Sequence, residues 1–220
     1  IVILKSIYKN SLQQYLVKNL LKLHFVELFK LLILKFFPKY INYFIKKNIS
    51  NYSLGKIIKK HKYKPIITFN LNDKKLVNFI INKNYNYVIN TSNQIYKLNL
   101  LKKYKNRIIN IHLSLLPKYG GIWTMFQQLS NNEKYTGVTI HKINSKIDSG
   151  NLIIQKKIIL DKKYSLFENQ QRCYDFVPVL LKYCLKINFK SKKKLKDSLN
   201  YKFPNKNDWK NFRHYKAKVI

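Results

Sequence analysis

Residues 107–150 read RIINIHLSLLPKYGGIWTMFQQLSNNEKYTGVTIHKINSKIDSG, and this stretch decides the fold. An apolar pair at 108–109 leads into Asn110, Ile111 and His112. Because side chains alternate along a strand, Asn110 and His112 are predicted to lie on one face at a strand end. Two polar groups on one face of an otherwise apolar strand indicate a candidate site.

The rest of this stretch predicts a loop, a short helix and a second strand. Ser114 begins a segment that leaves the sheet, and Gly121 lies where a tight, left-handed backbone is allowed. An apolar helix is expected at 122–129 and a strand at 136–143. The polar turn after that strand contains Asp148, whose carboxylate is predicted to return to the same strand end. An amide, an imidazole and a carboxylate together can supply a hydrogen-bond donor, a base and an orienting anion.

These residues form a co-linear pattern whose members are Asn110, His112, Ser114-Leu115-Leu116-Pro117, Gly121, Thr136-Gly137-Val138-Thr139 and Asp148-Ser149-Gly150. The pattern resembles the formyltransferase family that uses 10-formyltetrahydrofolate. Members of that family act on glycinamide ribonucleotide, methionyl-tRNA or sugar amines. A weaker resemblance extends from about residue 64 to the C-terminus, whereas the first sixty residues share little beyond an opening strand.

The resemblance implies an α/β fold with a Rossmann-like, open and mostly parallel sheet. It implies a formyltransferase catalytic domain at 1–188 and a short basic C-terminal tail at 189–220. The expected reaction moves a formyl group from 10-formyltetrahydrofolate to a primary amine of the methionyl-tRNA or amino-sugar type, without a metal. Asn110 would donate to the carbonyl oxygen, His112 would move the amine proton, and Asp148 would orient that histidine.

The folate is expected to bind near the loop that follows a short strand at 87–89. In open α/β sheets, ligands bind beyond the carboxyl ends of the strands, so this loop should face Asn110. By the resemblance, the pterin pocket is lined by Asn93, Gln94, Ile95, Tyr96, Leu101 and Ile108. Leu101 and Ile108 are equally compatible with plain core positions. Ser114 and Gly121 are expected to support the neighbouring loop, and His141 is interpreted as structural or as part of the pocket rim.

Three features bear on the amine acceptor. The turn at 5–10 contains no glycine, so it cannot form the Gly-rich phosphate cradle of the glycinamide ribonucleotide enzymes that the chain resembles. The methionyl-tRNA and sugar branches usually carry arginine before the glycine matched by Gly121, where this chain has Gly120. The tail is similar at 201–204 and 208–212 to short stand-alone formyltransferases, and it is too short for the tRNA-binding barrel of a full methionyl-tRNA formyltransferase. The acceptor therefore stays open, with tRNA still a candidate partner.

The chain is strongly basic, with 44 Lys and Arg against 9 Asp and Glu and a formal net charge of +35. Such a charge ordinarily indicates nucleic acid or an anionic membrane surface. However, Arg107, Arg172 and Arg213 are the only arginines, and the lysines are spread evenly among abundant Asn, Ile, Tyr and Phe. This bias is typical of an AT-rich genome, so a solvated surface is the preferred interpretation. Two alternatives remain: a non-catalytic formyltransferase-like protein and, ranked lower, a basic nucleic-acid-binding protein.

Cysteine usage and hydropathy bound the compartment. Cys173 and Cys184 have no metal or redox spacing, so they are predicted to be reduced core residues. The most apolar stretch, 25–37, contains charged residues and is too short to span a bilayer. These features predict a cytoplasmic protein, or an organellar one if a targeting segment before Ile1 has been lost.

The remaining periodicity predicts strands alternating with helices, as in a doubly wound domain. Further strands are expected at 1–4, 66–69 and 153–160. Helices are expected at 11–23, 73–82, 97–104 and 164–187, with Asn72 as the cap of the second. A lysine-rich helical region is expected at 25–60, interrupted at Pro38.

Overall fold

The structure is a computed structural model, and it describes residues 2–4, 59–62, 64–92 and 94–219. The chain divides into two compact units, 1–71 and 72–220. In the first unit, strand β1 (Val2–Leu4) pairs in parallel with β2 (Ile66–Thr68), so both predicted strands are present. The helices predicted at 11–23 and 25–60, and the turn at 5–10, lie outside the described residues.

The second unit alternates helices with strands. Its helices are α1 (Lys74–Lys83), α2 (Leu98–Lys103), α3 (Thr124–Ser130), α4 (Leu166–Lys186) and α5 (Lys206–His214). Its strands are β3 (Val88–Asn90), β4 (Ile108–His112), β5 (Gly120–Gly121), β6 (Tyr135–Lys142), β7 (Asn151–Ile159), β8 (Lys193–Lys194) and β9 (Asn200–Tyr201). The elements predicted in this unit occur within two residues of their expected bounds. No helix in the described part of the chain is long and apolar enough to cross a membrane.

The main sheet of this unit has five strands in the order β3-β4-β6-β7-β8. β3 and β4 run parallel, whereas the β4/β6, β6/β7 and β7/β8 pairs are antiparallel. The α/β class is therefore confirmed, but the sheet is mixed rather than mostly parallel. A short polar turn at 143–150 joins β6 to β7, and it has no room for the crossover that a parallel pair requires.

Side-chain hydrogen bonds set the start of α1 and tie it to the loop before α2. Asp73, rather than the predicted Asn72, is the N-cap, because its carboxylate accepts two backbone N–H groups of the first helical turn. Asn72 instead accepts the Lys97 N–H at 2.6 Å and donates to the Ile95 carbonyl at 2.9 Å. These contacts hold the loop that was predicted to bind folate.

Helix α4 packs against β6 and β7 and buries one face. That face includes both Cys173 and Cys184, which are free and buried, as predicted for core residues. Burial raises the pKa of each thiol to about 11, so both are inert at neutral pH.

An aromatic cluster attaches the C-terminal helix to α3. The Phe126 ring stacks on Phe212 at 4.4 Å between centroids and meets Trp209 edge-on at 4.4 Å. Such aromatic pairs contribute about 0.5–1.5 kcal/mol each beyond their buried area. The C-terminal residues therefore pack into the second unit, and the predicted domain boundary at residue 188 stays a prediction.

Candidate active site

Four polar side chains from β4, β6 and the turn after β6 converge. Asn110 Nδ2 lies 3.2 Å from His141 Nε2 and 3.5 Å from Asp148 Oδ1. His112 Nδ1 and His141 Nε2 each lie 3.7 Å from the same Oδ1. The structure thus brings together the three side chains that the sequence singled out, and it adds His141.

Antiparallel pairing of β4 with β6 creates this cluster. Asn110 is the direct cross-strand partner of His141, and His112 is the partner of Thr139. The register between β6 and β7 shifts between Ile140 and His141, a bulge of the kind that re-aims side chains beside a site. The sequence indicated that His141 is structural or part of the pocket rim and did not predict its pairing with Asn110, because a mostly parallel sheet gives no such pair. Only an antiparallel register of these two strands places His141 beside Asn110.

The Asn110 amide is held in one orientation by two partners. Asn90 Nδ2 donates to Asn110 Oδ1 at 2.7 Å, while Asn110 Nδ2 faces His141 Nε2. His141 Nδ1 lies 3.1 Å from the Lys142 carbonyl, which can only accept, so Nδ1 carries the hydrogen and Nε2 accepts from Asn110. Burial lowers the pKa of His141 to about 4, against the opposing attraction of Asp148, so this neutral form persists at neutral pH.

A backbone carbonyl orients His112. Its Nε2 lies 2.7 Å from the Tyr119 carbonyl oxygen, to which Ser114 Oγ also donates at 2.5 Å. Because a carbonyl only accepts, Nε2 carries the hydrogen, and the Nδ1 lone pair lies on the side of Asp148. Ser114 is fully buried, and this contact joins its hydroxyl to the loop at Tyr119. Its supporting role stays a prediction.

The Asp148 carboxylate is fixed by the backbone of β5. The Gly121 N–H donates to Oδ2 at 2.7 Å, which leaves Oδ1 towards Asn110 and the two histidines. Asp148 and Gly121 both have positive φ, of 49° and 86°. Aspartate tolerates this region, whereas a Cβ at position 121 would also overlap the Tyr201 carbonyl. Gly121 therefore supports the loop and also supplies an N–H to the site.

The cluster lines a cavity of about 350 Å³, whose other walls come from the loop after β3, the turn after β6 and β9. Of the residues predicted to bind folate, Gln94, Ile95, Tyr96 and Leu101 line this cavity. Ile108 is instead buried in the core and is not part of the lining. Asn93 lies outside the described residues. The alternatives left open for Leu101 and Ile108 thus separate: Leu101 lies on the cavity wall and Ile108 in the core.

Asn90 connects the predicted folate loop to Asn110. Its Oδ1 accepts from Tyr96 Oη at 2.9 Å and from Ser92 Oγ at 2.9 Å, while its Nδ2 binds Asn110. Burial raises the pKa of Tyr96 to about 12, so its hydroxyl stays a donor. Asn90 is the parallel partner of Asn110 and, like it, follows an apolar pair in its strand. That repeat was the sequence signal for this residue, which the sequence predictions left out of the site.

The central part of the chain is similar to known proteins. Residues 55–182 match the family model described as formyl transferase. The chain belongs to the formyl transferase family. The matched range contains Asn110, His112, His141 and Asp148, and it ends before β9.

Relatives within this family are named for different amine acceptors. The methionyl-tRNA formyltransferase of Finegoldia magna is 32% identical over 100 residues, which are 45% of this chain and 32% of the relative. The phosphoribosylglycinamide formyltransferase of Bacillus subtilis is 35% identical over 98 residues, which are 43% of this chain and 50% of the relative. The chain therefore spans half or less of the length of these curated relatives.

A solved structure of the family shares the fold. The formyltransferase PseJ of Anoxybacillus kamchatkensis, in complex with UDP-4,6-dideoxy-4-formamido-L-AltNAc and tetrahydrofolate, has a TM-score of 0.55 at 20% identity. The match covers 73% of this chain and 84% of PseJ. This likeness supports the Rossmann-like α/β class.

Proposed function

We propose that this chain transfers a formyl group from 10-formyltetrahydrofolate to a primary amine, of the methionyl-tRNA or amino-sugar type. The observation that carries the proposal is the convergence of Asn110, His112 and Asp148 on one cavity in a member of the formyl transferase family. Direct transfer between two nitrogen atoms requires three groups. They are a donor for the carbonyl oxygen, a base for the amine and a carboxylate that stabilises the protonated base. No covalent enzyme intermediate is needed.

The cavity suits the folate co-substrate. Its volume of about 350 Å³ falls within the range of about 300–1,000 Å³ that is usual for small-ligand sites. Apolar side chains such as Ile95, Leu101 and Ile122 share its walls with amide and hydroxyl groups. A flat pterin ring needs this combination of apolar faces and hydrogen-bonding edges. The folate supplies the formyl carbon, already bonded to a nitrogen that can leave.

Asn110 would donate to the formyl oxygen. Its Nδ2 has two hydrogens, one of which is directed at His141. The second faces Asp148 at 3.5 Å, the outer limit of a hydrogen bond, so it can turn to a closer oxygen that gains negative charge. A donor of this kind typically contributes about a hundred- to a thousandfold in rate.

His112 would take the amine proton at Nδ1 and deliver it to the N10 nitrogen of the folate as the bond from that nitrogen to the formyl carbon breaks. Its Nε2 hydrogen is directed at the Tyr119 carbonyl, so Nδ1 is the atom with a free lone pair. Protonation would create a positive ring 3.7 Å from Asp148 Oδ1, and the carboxylate would stabilise it. Because the Gly121 N–H fixes Oδ2, the carboxylate need not rotate when the ring becomes charged.

The test is to incubate the chain with 10-formyltetrahydrofolate and a panel of amines, and to follow the release of tetrahydrofolate. The panel includes charged methionyl-tRNA, phosphoribosylglycinamide and nucleotide-linked amino sugars. We expect release that depends on one class of amine and is lost in Asn110→Ala. Folate binding by the native chain without amine-dependent release would favour the non-catalytic alternative.

A further inference from the structure

The C-terminal strand builds part of the cavity wall. β9 pairs in parallel with β5, and the Ile122 N–H donates to the Tyr201 carbonyl at 3.0 Å. The Tyr201 ring stacks on Tyr119 at 5.2 Å between centroids. Residues 200–202 consequently line the same cavity as Asp148, although the family match ends at residue 182.

Gly120 and the C-terminal segment fit together closely. A Cβ at Gly120 would lie 2.5 Å from Ser198 Oγ and 2.7 Å from Asn200 Oδ1. The space beside this loop is therefore filled by residues 198–200, and a side chain at position 120 could not enter it without displacing them. The C-terminal segment thus packs closely against β5 beside the cavity.

The charges on the cavity lining are unevenly compensated. Besides its histidines, the lining carries Asp148, Lys146 and Lys202 as charged side chains. Asp148 is bonded to the Gly121 N–H, and Lys146 Nζ pairs with Asp197 at 2.7 Å. Lys202 has no carboxylate partner within the described part of the chain. A single uncompensated cation on a wall of this cavity attracts an anion.

We propose that Lys202 binds an anionic group, a carboxylate or a phosphate, of a ligand held in this cavity. This inference rests on the proposed function, because that function supplies two sources of such a group. The folate carries carboxylates on its glutamate portion, and the amine acceptor is the other source if it is a phosphate ester. A lysine ammonium binds either group as a point charge. Lys202 is therefore a specificity residue and does not contact the reacting atoms.

Binding titrations with matched probes test this role. Tetrahydrofolate is paired with tetrahydropteroyl amide, which lacks the glutamate carboxylates, and a nucleotide-linked amino sugar is paired with the free amino sugar, which lacks the phosphates. The proteins are the native chain, Lys202→Gln, Lys202→Arg and Lys210→Gln, the last removing an exposed lysine of α5 outside the cavity. We expect Lys202→Gln to raise the Kd of one anionic probe about tenfold and that of its uncharged counterpart by less than about twofold. Lys202→Arg and Lys210→Gln should bind as the native chain does.

The outcomes distinguish the folate from the amine acceptor as the source of the anion. They also distinguish failure of the Lys202 proposal from failure of the proposed formyl transfer. A loss confined to the folate pair assigns the anion to the folate, and a loss confined to the phosphate pair assigns it to the acceptor. Equal Kd values for native and Lys202→Gln proteins overturn the proposal. So does an equal loss in Lys210→Gln, or a native chain that binds neither anionic probe. Failure of the proposed function gives a different set of results. The native chain then binds tetrahydrofolate and Lys202→Gln still raises the Kd, but no amine stimulates the formation of tetrahydrofolate from 10-formyltetrahydrofolate.

Discussion

Two parts of one cavity are built in opposite ways. The inner cluster (Asn90, Asn110, His112, His141 and Asp148) is largely buried, and its polar groups hydrogen-bond to one another or to backbone. The C-terminal wall (residues 200–202) is mostly exposed, and the ion pair beside it leaves its lysine 66% and its aspartate 72% accessible. Electrostatic interactions are strong where water is excluded and weak where it is not. We therefore expect the inner cluster to control turnover, and the exposed wall to affect only the binding of a ligand's anionic group.

The largest effect should come from the inner cluster. Asn110→Ala and His112→Ala should each lower kcat about a hundred- to a thousandfold, or about 3 to 4 kcal/mol for the lost donor. Folate binding should change only a few-fold, because other loops build most of the cavity wall. The double variant should be little worse than either single one, since groups acting on one transition state fail as a unit.

Exposed residues provide matched controls for these two variants. Asn207→Ala and His214→Ala, both on α5, should keep native kcat. Steady-state kinetics with the accepted amine measures the native chain and all five variants. An Asn110→Ala loss that appears only as weaker folate binding would break the distinction between the two regions.

The second effect is on stability and concerns His141. Its folded pKa of about 4 lies below the ordinary 6.5, so between these values the unfolded chain binds the proton first. Stability should therefore fall as the pH drops from 6.5 to 4, by roughly 3 kcal/mol for this group. Urea denaturation of native and His141→Gln proteins across this range isolates the contribution, because the glutamine variant lacks it. Parallel pH curves for the two proteins would contradict the burial argument.

The third effect concerns Gly120 and Gly121 of β5, which connects the inner cluster to the C-terminal wall. Gly121→Ala should destabilise the chain by about 2 kcal/mol, since alanine there has positive φ and meets the backbone of Tyr201. Gly120→Ala should cost only about 1 kcal/mol, because it meets the movable side chains of Ser198 and Asn200. Denaturant midpoints measure both variants, and a reversed order would mean that β5 and β9 are not paired in this register.

The smallest effect is expected beside the C-terminal wall. Lys146 and Asp197 form an exposed ion pair, so Lys146→Met should change the free energy of unfolding by no more than about 0.5 kcal/mol. The free energy of unfolding of Lys118→Met is measured for comparison. Its partner Glu133 is only 22% accessible and also accepts a hydrogen bond from Tyr119 Oη. A loss of several kcal/mol in Lys146→Met would show that the wall is as structural as the inner cluster.

Periodicity located most elements of the second unit, but it could not give the direction of β6. The apolar alternation of residues 136–143 is the same whether the strand runs parallel or antiparallel to β4. Only the antiparallel register makes Asn110 and His141 neighbours, which is why the sequence left His141 at the rim. Asn90 differs, because it pairs with Asn110 across parallel strands, and the apolar pair before each asparagine was the sequence signal for it.

The sequence did not decide which of two neighbouring residues caps α1. Asn72 and Asp73 are both good helix caps, and the contacts of Asn72 with Lys97 and Ile95 decide the choice in favour of Asp73. The sequence showed a resemblance at 201–204 but predicted no position for the wall at 200–202. β9 has two residues, too few for any alternation, and its position depends on a partner that is also only two residues long.

The central claim, formyl transfer at the inner cluster, is tested most directly by tracing the formyl carbon. 10-Formyltetrahydrofolate labelled with carbon-13 in the formyl group is mixed with each amine, and mass spectrometry follows the label in native and Asn110→Ala proteins. We predict label in the amide product of one amine class, at a rate that falls about a hundred- to a thousandfold in Asn110→Ala. Label that appears only as free formate, or in product at equal rates with both proteins, would contradict the account.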